Sequence, residues 1–369
     1  IEEHEQIGRP FQCAGLVNPG AMNSVGLEST ILTTIWGANI HSPSGKKVSI
    51  GDPTIPRTYS VCRKLFDEAL VKQSIETGSE IMLSSKPTSI SLNDDRVSVE
   101  ISGPNGTEII HCKLLCGADG AHSWVRRKLR MGKPTETMIG FQIEVTGYEG
   151  DPGMLDMYTG EKIAPGFFSW AIPSGETTRI GTWTKAELMN GISSEEYLDG
   201  LISNPELNSR FSNINEVGRF CGPVPSGIVR KPMLERVALF GDAAGICKPT
   251  TGGGIGPGFK QVDVLVPMIS TALDSNDLSE FTMKKISNSL KEFRRDQRKK
   301  RALRDAFLTE MNDYELEKIF SVWRRPEVTA LINEVGDIEN PIPLGIRMLR
   351  EVPEFRRLAG RAAKAVLWG

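Results

Sequence analysis

The chain has 369 residues, enough for more than one domain with a sizeable core, so a small disulfide-stapled protein is excluded. Its 44 Lys and Arg residues nearly balance 46 Asp and Glu residues, which gives no electrostatic reason to expect nucleic acid as a partner. No stretch approaches the roughly 18 consecutive apolar residues of a membrane span, and the first residues do not read as a signal peptide. We therefore expect a cytoplasmic protein whose contact with a membrane is at most peripheral.

The six cysteines are irregularly spaced and form no Cys-x-x-Cys pair. This spacing predicts neither a zinc nor an iron-sulfur site, and it suits a reducing compartment in which most thiols pack in the interior. We expect no bound metal.

The first half of the chain predicts one clear helix among several strands. The expected strands are residues 30–40, 47–50, 79–90, 96–102 and 107–115. Apolar residues near helical spacing predict a helix over residues 62–77, which Gly78 ends. The last three strands alternate apolar and polar residues around two turns, so they predict an antiparallel meander.

The second half begins with a β-rich segment, residues 135–224, which predicts a second domain built on an antiparallel sheet. A buried strand over residues 236–240 follows. From Gly258 onward the chain is predicted to be helical, and the basic stretch at residues 294–301 is expected to be a solvated helix face. Two further helices are expected in the last thirty residues.

The most specific motif is Gly241-Asp242-Ala-Ala-Gly, which ends the strand over residues 236–240. Open α/β sheets bind ligands at such carboxyl ends, where Asp242 could accept hydrogen bonds from sugar or polyol hydroxyls. Gly253 and Gly254 belong to a following glycine run, which lets backbone approach a flat ligand and presents amides of a helix start to an electron-rich oxygen. The alternative is a tight turn with a capping Asp.

Two other acidic residues lie at predicted strand ends. Asp119-Gly120 follows the strand over residues 107–115, and the alternative there is an ordinary hairpin turn. Glu2 precedes a loop that contains Cys13, and a carboxylate at the end of a second strand in a dinucleotide-binding fold binds a ribose diol.

These three segments, in this order, resemble the flavoprotein hydroxylase-type fold, in which a strand-end acid and both Asp motifs hold FAD. Within that fold, EEHEQIGRPFQCAGLV (residues 2–17), CRKLFDEAL (62–70) and PTTGGGI (249–255) resemble the geranylgeranyl reductase family, including its archaeal digeranylgeranylglycerophospholipid reductases. The resemblance covers residues 1 to about 260. It implies an α/β (α+β) fold: a Rossmann-like FAD-binding domain of the para-hydroxybenzoate hydroxylase type, an antiparallel-sheet substrate domain and a helical C-terminal region.

The sequence departs from the family pattern in two places. The family's N-terminal Gly-x-Gly-x-x-Gly unit does not occur in this chain, so we expect it to be missing and FAD binding to be weaker. The family's Tyr-x-Trp-x-Phe-Pro motif appears as residues 168–173, FSWAIP, and its later Gly-x-Gly appears as Gly181-Thr-Trp183. The substrate is therefore less closely specified than the cofactor.

The resemblance divides the chain into three parts. They are an FAD-binding domain of residues 1–40, 60–130 and 225–290, a substrate domain of residues 41–59 and 131–224, and a helical region of residues 291–369.

The resemblance also implies a set of cofactor-binding residues. They are Glu2, Cys13, Ala14, Leu16, Arg63, Pro87, Asp119, Gly120, Gly241, Asp242, Gly253, Gly254 and Ile255. Glu2 would bind the adenosine ribose and Pro87 would touch adenine. Cys13, Ala14 and Leu16 would line the flavin edge.

Four of these residues would lie nearer the reacting part of the cofactor. By resemblance, Arg63 would contact it from the substrate side, and Asp242 would bind its ribityl or pyrophosphate region. The amides of Gly254 and Ile255 would face the isoalloxazine carbonyl, where they stabilise the anionic reduced flavin.

The implied reaction is the saturation of isoprenoid double bonds with FAD as cofactor and with NAD(P)H or a ferredoxin-like protein as electron donor. An isolated alkene has no carbonyl to polarise, so the protein must supply a dry apolar tunnel that holds it in place. Phe168, Trp170 and Trp183 are candidate lining residues, or else packed sheet aromatics. Cys13 is the candidate catalytic proton donor, or else a packed thiol.

Residues 341–369 interleave basic and apolar side chains, which predicts an amphipathic surface for peripheral membrane contact. The alternative is a pair of solvated helices that pack on the core. Two other functions stay open for the whole chain. They are an FAD-dependent aromatic monooxygenase of the same fold, and a non-enzymatic lipid-binding relic.

Overall fold

The computed structural model describes residues 1–10, 13–336 and 342–356. Its strands are β1 (Leu16–Val17), β2 (Ile31–Ile35), β3 (Gly37–His41), β4 (Lys47–Gly51), β5 (Thr58–Val61), β6 (Lys86–Leu92), β7 (Val97–Gly103), β8 (Gly106–Cys112), β9 (Leu115–Gly117), β10 (Glu136–Thr146), β11 (Met154–Tyr158), β12 (Ser169–Ser174), β13 (Thr177–Lys185), β14 (Asn215–Ser226), β15 (Met233–Leu234) and β16 (Val237–Leu239). Its α-helices are α1 (Pro19–Val25), α2 (Arg63–Glu76), α3 (Trp124–Lys128), α4 (Ser194–Ile202), α5 (Ile255–Asp274), α6 (Glu280–Ser287), α7 (Lys291–Arg304), α8 (Asp313–Trp323), α9 (Pro326–Val335), α10 (Ile342–Glu351) and α11 (Pro353–Arg356).

The largest sheet has seven strands in the order β14-β10-β13-β12-β11-β3-β4. Its neighbours pair antiparallel, except that β11 and β3 run parallel. One face packs on α4, where Leu198 and Leu201 join a buried cluster with Phe141 and Tyr158. The other face lies against the N-terminal segment of the chain through Leu16. The sheet therefore presents one face to the segment in which cofactor contacts are expected.

Two short parallel strands place both Asp motifs at one edge of a small sheet. In the pairing of β9 with β16, Gly117 lies opposite Leu239, and the acidic motifs follow directly on both strands. The buried Arg126 joins the two strand ends, because its guanidinium donates to the carbonyls of Ala121 at 2.6 Å and Ala243 at 2.8 Å.

The predicted meander is confirmed as the antiparallel sheet β6-β7-β8, and the predicted helix over residues 62–77 is confirmed as α2. The strand prediction is wrong for residues 79–85, where the structure has no strand. This stretch bonds irregularly to the start of the chain: the Glu2 amide donates to the Met82 carbonyl at 2.8 Å, and the Ser84 amide donates to the His4 carbonyl at 2.9 Å.

The short helix α1 was not expected from the sequence. The Asn18 side chain accepts a hydrogen bond from the Ala21 amide at 2.8 Å, Pro19 occupies the first turn, and Gly26 ends the helix with a φ of 65°. Each of these residues is a standard helix signal.

The helical part beyond Gly258 agrees with the prediction but qualifies the expected solvated face at residues 294–301. Gln297, Lys300 and Arg304 of α7 are buried, so only one side of this helix faces solvent. Among the described residues, no helix is both long and apolar enough to cross a bilayer. Of the tail predicted to be amphipathic, residue 341 and residues 357–369 lie outside the described residues.

Candidate cofactor and substrate site

The glycine run at residues 252–254 forms a tight turn that leads into α5. The Gly252 amide donates to the Lys248 carbonyl at 2.9 Å, and Gly252 has a φ of 72°, which favours glycine. The 20-residue helix α5 begins at Ile255, with Gly254 as N-cap, and in the described part of the chain no side chain bonds to its first amides. These amides therefore stay available to an electron-rich ligand.

Asp242 lies directly against this turn. Its Oδ1 accepts a hydrogen bond from the Cys247 thiol at 3.0 Å, and a Cβ on Gly254 would lie 2.9 Å from the same oxygen. Burial raises the pKa of Asp242, and this effect is partly opposed by the Cys247 hydrogen bond and by the charge of Arg63. The backbone at Gly254 thus has no room for a side chain on the side of the carboxylate.

Three buried polar atoms near the turn have no hydrogen-bond partner among the described residues: Thr250 Oγ1, Thr251 Oγ1 and Trp183 Nε1. The Trp183 ring lies against the turn, since a Cβ on Gly252 would be 3.0 Å from it. Buried polar groups without partners are rare in native proteins. Together with the uncapped start of α5, these atoms fit a flat polar ligand such as the isoalloxazine ring of FAD.

A row of three residues runs across the large sheet on the face toward the N-terminal segment. Gln142 and Trp170 both lie directly opposite Gly181, on β10 and β12 to either side of β13, so all three share one face. A Cβ on Gly181 would collide with the Trp170 ring. Gly181 therefore lets the indole lie flat across β13, where its Nε1 donates to Gln142 Oε1 at 3.2 Å.

The loop that carries Cys13 is tied to this face by two side chains that sequence reasoning missed. Gln142 Nε2 donates to the Cys13 carbonyl at 3.4 Å. The buried Arg179 on β13 donates through Nη1 to the carbonyls of Ala14 at 3.0 Å and Val61 at 3.1 Å. No local sequence motif predicts a role for Gln142 or Arg179, because their contacts depend on how the strands pair.

Cys13 itself is half-buried, and its Sγ accepts a hydrogen bond from the Gly15 amide at 3.3 Å. Arg63, at the start of α2, pairs with Asp67 at 2.9 Å. Arg63 also interacts electrostatically with both Cys13 and Asp242. The structure therefore brings three of the predicted site residues into one neighbourhood.

The predicted aromatic residues pack on one another beside the turn. Trp183 meets Phe168 edge-on at 5.5 Å and Phe167 at 5.0 Å between ring centroids, and Phe168 lies 6.4 Å from Trp170. Phe167, Phe168 and Trp183 are buried, whereas Trp170 is half-buried. Trp170 and Trp183 face the Cys13 loop and the glycine turn, and the two phenylalanines support them from the core.

The remaining predicted residues lie elsewhere. Asp119 is exposed and accepts a hydrogen bond from the Val125 amide at 2.9 Å, next to Gly120 with its φ of 73°. Glu2 accepts hydrogen bonds from the His4 amide at 2.9 Å and from its ring, and Pro87 lies in β6. Within the described residues, hydrogen bonds link none of Glu2, Pro87 and Asp119 to the glycine turn.

Comparisons with known sequences agree with this geometry. Residues 20–195 match the family described as FAD binding domain. The chain is 31% identical over 304 residues to the digeranylgeranylglycerophospholipid reductase of Methanocaldococcus jannaschii, a match that covers 79% of this chain and 75% of that protein. It is 28% identical over 367 residues to the protein of the same name from Methanococcus vannielii, covering 96% of this chain and 89% of that protein.

Comparisons with solved structures point to the same fold. A geranylgeranyl bacteriochlorophyll reductase-like protein from Thermoplasma acidophilum superposes with a TM-score of 0.85 at 22% identity, covering 97% of this chain and 91% of that one. A p-nitrophenol 4-monooxygenase from Pseudomonas putida gives a TM-score of 0.63 at 18% identity, covering 90% and 89%. The predicted fold class and the prediction of FAD as cofactor are confirmed by these matches.

Proposed function

This chain belongs to the digeranylgeranylglycerophospholipid reductase family, and from that premise we propose that it saturates geranylgeranyl double bonds of membrane lipid precursors. It is an FAD-dependent oxidoreductase. The observation that carries the proposal is the aromatic sheet face of Trp170 and Trp183, which meets the glycine turn and the Cys13 loop at one place. A long apolar chain and a flat redox cofactor can share such a surface.

Residues at the turn would hold the cofactor. The amides at the start of α5, from Gly254 and Ile255, suit an oxygen that gains negative charge on reduction, and Asp242 suits a hydroxyl-bearing chain behind the turn. Glu2 would bind a ribose. The chemistry that FAD would supply when bound there in its reduced form is a hydride for one carbon of the alkene.

The sheet face would hold the alkene and exclude water. Trp170 and Trp183 offer apolar ring surface, and the indole of Trp170 is fixed by its hydrogen bond to Gln142. Because an isolated alkene offers no polar atom to grip, orientation depends on such rigid contacts along the chain. Gln142 and Arg179 act as positioning residues, since they hold the Cys13 loop against the sheet.

The second alkene carbon needs a proton, and we assign its delivery to the Cys13 thiol. The Sγ–H bond would break as the proton bonds to this carbon, and water would then reprotonate the thiolate. The half-buried loop and Arg63, which interacts electrostatically with Cys13, support this role.

We also propose an electron donor and a place of action. NAD(P)H or a ferredoxin-like protein would reduce the flavin, and the protein would act in the cytoplasm at the membrane face. The described end of the chain supports peripheral contact, because α10 carries an exposed Ile346, 53% accessible, beside the exposed Arg350, and Arg356 follows on α11.

Anaerobic turnover tests the function. The FAD-loaded chain is reduced with dithionite, incubated with a geranylgeranyl glycerophospholipid without oxygen, and the lipid is read by mass. We expect the gain of one hydrogen pair for each bond reduced. An aromatic monooxygenase would leave the lipid unchanged and would consume oxygen in step with an aromatic substrate. A lipid-binding relic would bind the lipid without any change of mass.

A further inference from the structure

A basic groove lies along α7, outside the site described above. Its volume is about 440 Å³. Five basic side chains of α7 line it: Lys291, Arg294, Arg295, Arg298 and Arg301. We call it the α7 groove. Residues three, four and seven positions apart share one side of a helix, so the helix itself gathers these charges.

Most of this charge is not neutralised by the protein. Among the described residues, no carboxylate pairs with Lys291, Arg294, Arg295 or Arg298, whereas Arg301 pairs with Glu136 at 2.9 Å. Cations that converge on a concave surface repel one another, and an anion bound between them removes that cost.

Glu136, the partner of Arg301, is already shared among several basic residues. Glu136 pairs with Arg301, with Arg304 at 2.8 Å and with Lys185 at 3.3 Å. Burial alone would raise the pKa of Glu136, but hydrogen bonds and charge from Arg304 and Arg301 lower it from 4.5 to about 2. Glu136 is therefore ionised and already paired. It does not serve as a counter-ion for the other arginines of the groove.

Arg294 is held in place by one of its guanidinium nitrogens, and another has no partner in the described part of the chain. Its Nη2 donates to the Val229 carbonyl at 2.7 Å, while its buried Nε has no hydrogen-bond partner among the described residues. Burial lowers the pKa of Arg294. A guanidinium fixed at the groove lining is suited to an oxyanion, whose geometry matches the guanidinium fork.

We propose that the α7 groove is a binding site for a phosphate group. The volume is that of a small-molecule site, and several arginines with the Thr135 lining opposite offer convergent donors to a tetrahedral anion. The phosphate belongs either to the headgroup of a glycerophospholipid or to a free phosphate or diphosphate. The concave shape favours a single phosphate group over a flat membrane surface. The inference does not depend on the reduction proposed above.

Calorimetric titration of the full chain with two probes at fixed ionic strength tests the proposal. The probes are inorganic pyrophosphate and dihexanoyl phosphatidate below its micelle concentration. The main variant is Arg295→Gln/Arg298→Gln, because both side chains are exposed and neither makes a hydrogen bond or ion pair among the described residues. We expect its Kd to rise at least about tenfold, as each lost charge-assisted contact weakens binding.

Two further variants test whether binding depends on the groove itself and not on net charge. Arg294→Gln removes the fixed guanidinium and should weaken binding to a similar degree, provided that its melting temperature matches the wild type. The control Lys284→Gln/Lys285→Gln removes two exposed charges from α6, away from the groove, and should bind like the wild type. This control separates a site from a general effect of net charge.

The outcomes divide clearly. Binding of both probes, lost in the groove variants, supports a site for phosphate in general. Binding of phosphatidate alone, lost in the same variants, identifies the headgroup as the source. The proposal is overturned if neither probe binds, if the control pair weakens binding as much as the groove pair, or if the chain binds anionic vesicles but not monomeric phosphatidate.

Discussion

The two acidic strand ends on β9 and β16 look alike in sequence but have different surroundings. Asp119 is exposed, and its carboxylate accepts the Val125 amide at the start of the five-residue helix α3. Asp242 is partly buried, accepts the Cys247 thiol and lies against a glycine turn. One acid completes a helix start, whereas the other leaves the longer helix α5 uncapped.

The comparison of Asp119 with Asp242 shows that the residues after the acid determine whether the following helix start is capped. After Asp119, Ser123 caps α3 by accepting the Arg126 amide at 3.0 Å, so the first amides of that helix are satisfied within the protein. After Asp242, three glycines supply no capping side chain, and the amides of α5 stay open.

The largest effect is expected at Cys13, and Cys116 in the other region serves as its control. Cys13→Ser should retain FAD and its reduction by dithionite, but slow alkene saturation by about 10²- to 10⁴-fold, the usual loss with a general acid. Cys116→Ser, on β9 beside the Asp119 motif, should react like the wild type. Anaerobic stopped-flow measurement of the two half-reactions decides this, and near-normal saturation by Cys13→Ser would leave Cys13 a packed thiol.

Gly254→Val should abolish flavin binding while the fold remains. Its side chain would meet the Asp242 carboxylate and the Cys247 thiol, and would fill the space where backbone must approach the ring. Gly120→Ala meets open space and strains only a positive φ, at a cost of about 1 kcal/mol, so it should keep its flavin. Flavin absorbance after gel filtration measures flavin binding in both variants, and melting curves measure their stability. Normal flavin content in Gly254→Val would refute the close approach of the Gly254 backbone to the flavin ring.

Acid should weaken the support behind the Asp242 site. Arg304, held by Glu136, donates to the Pro249 carbonyl just before the glycine run at 2.8 Å. Since the folded-state pKa of Glu136 is lowered from 4.5 to about 2, its stabilising contribution is complete above pH 4.5 and is lost as the pH falls toward 2. The stability difference between wild type and Glu136→Gln should shrink by roughly 2 to 3 kcal/mol over that range. Urea unfolding at several pH values measures it, and a difference independent of pH would contradict the assignment.

Asp242→Ala should lower FAD affinity, because its carboxylate would accept charge-assisted hydrogen bonds of about 1.5 to 3 kcal/mol each. Burial raises the pKa of this carboxyl, and the Cys247 hydrogen bond and the charge of Arg63 oppose that shift. Titration with FAD gives the affinity, and an unchanged flavin content would rule out direct contact.

The smallest effect is expected from Asp119→Ala. Loss of the bond to the Val125 amide should cost about 1 kcal/mol of stability, as for other residues that cap helix starts. Flavin affinity should fall less than in Asp242→Ala. A larger loss of flavin in Asp119→Ala than in Asp242→Ala would reverse the comparison.

Local sequence predicted the parts of the fold that local patterns determine. The meander β6-β7-β8 follows from alternation and turns, and α2 follows from helical spacing. The strand predicted over residues 79–85 is wrong because its backbone partners lie at the start of the chain. The helix α1 was missed, although Asn18, Pro19 and Gly26 carry its signals, because seven residues give little periodicity.

The candidate site also has a part that local sequence predicts and a part that it does not. The glycine turn and Asp242 lie on one continuous segment, so their sequence shows them together. Gln142 and Arg179 were missed because they matter only through the register of β10, β13 and β12, which sets long-range contacts. The roles predicted for Glu2, Pro87 and Asp119 stay predictions.

The parallel pairing of β3 with β11 has a consequence for how the chain is made. Gly37 pairs with Met154, so β3 and β4 can join the other five strands of the large sheet only after β11 has been synthesised. Without β11, β3 and β4 pair only with each other within this sheet, and a two-stranded hairpin alone is marginal in water. A chimaera of two relatives should therefore exchange β3 and β4 together with β11.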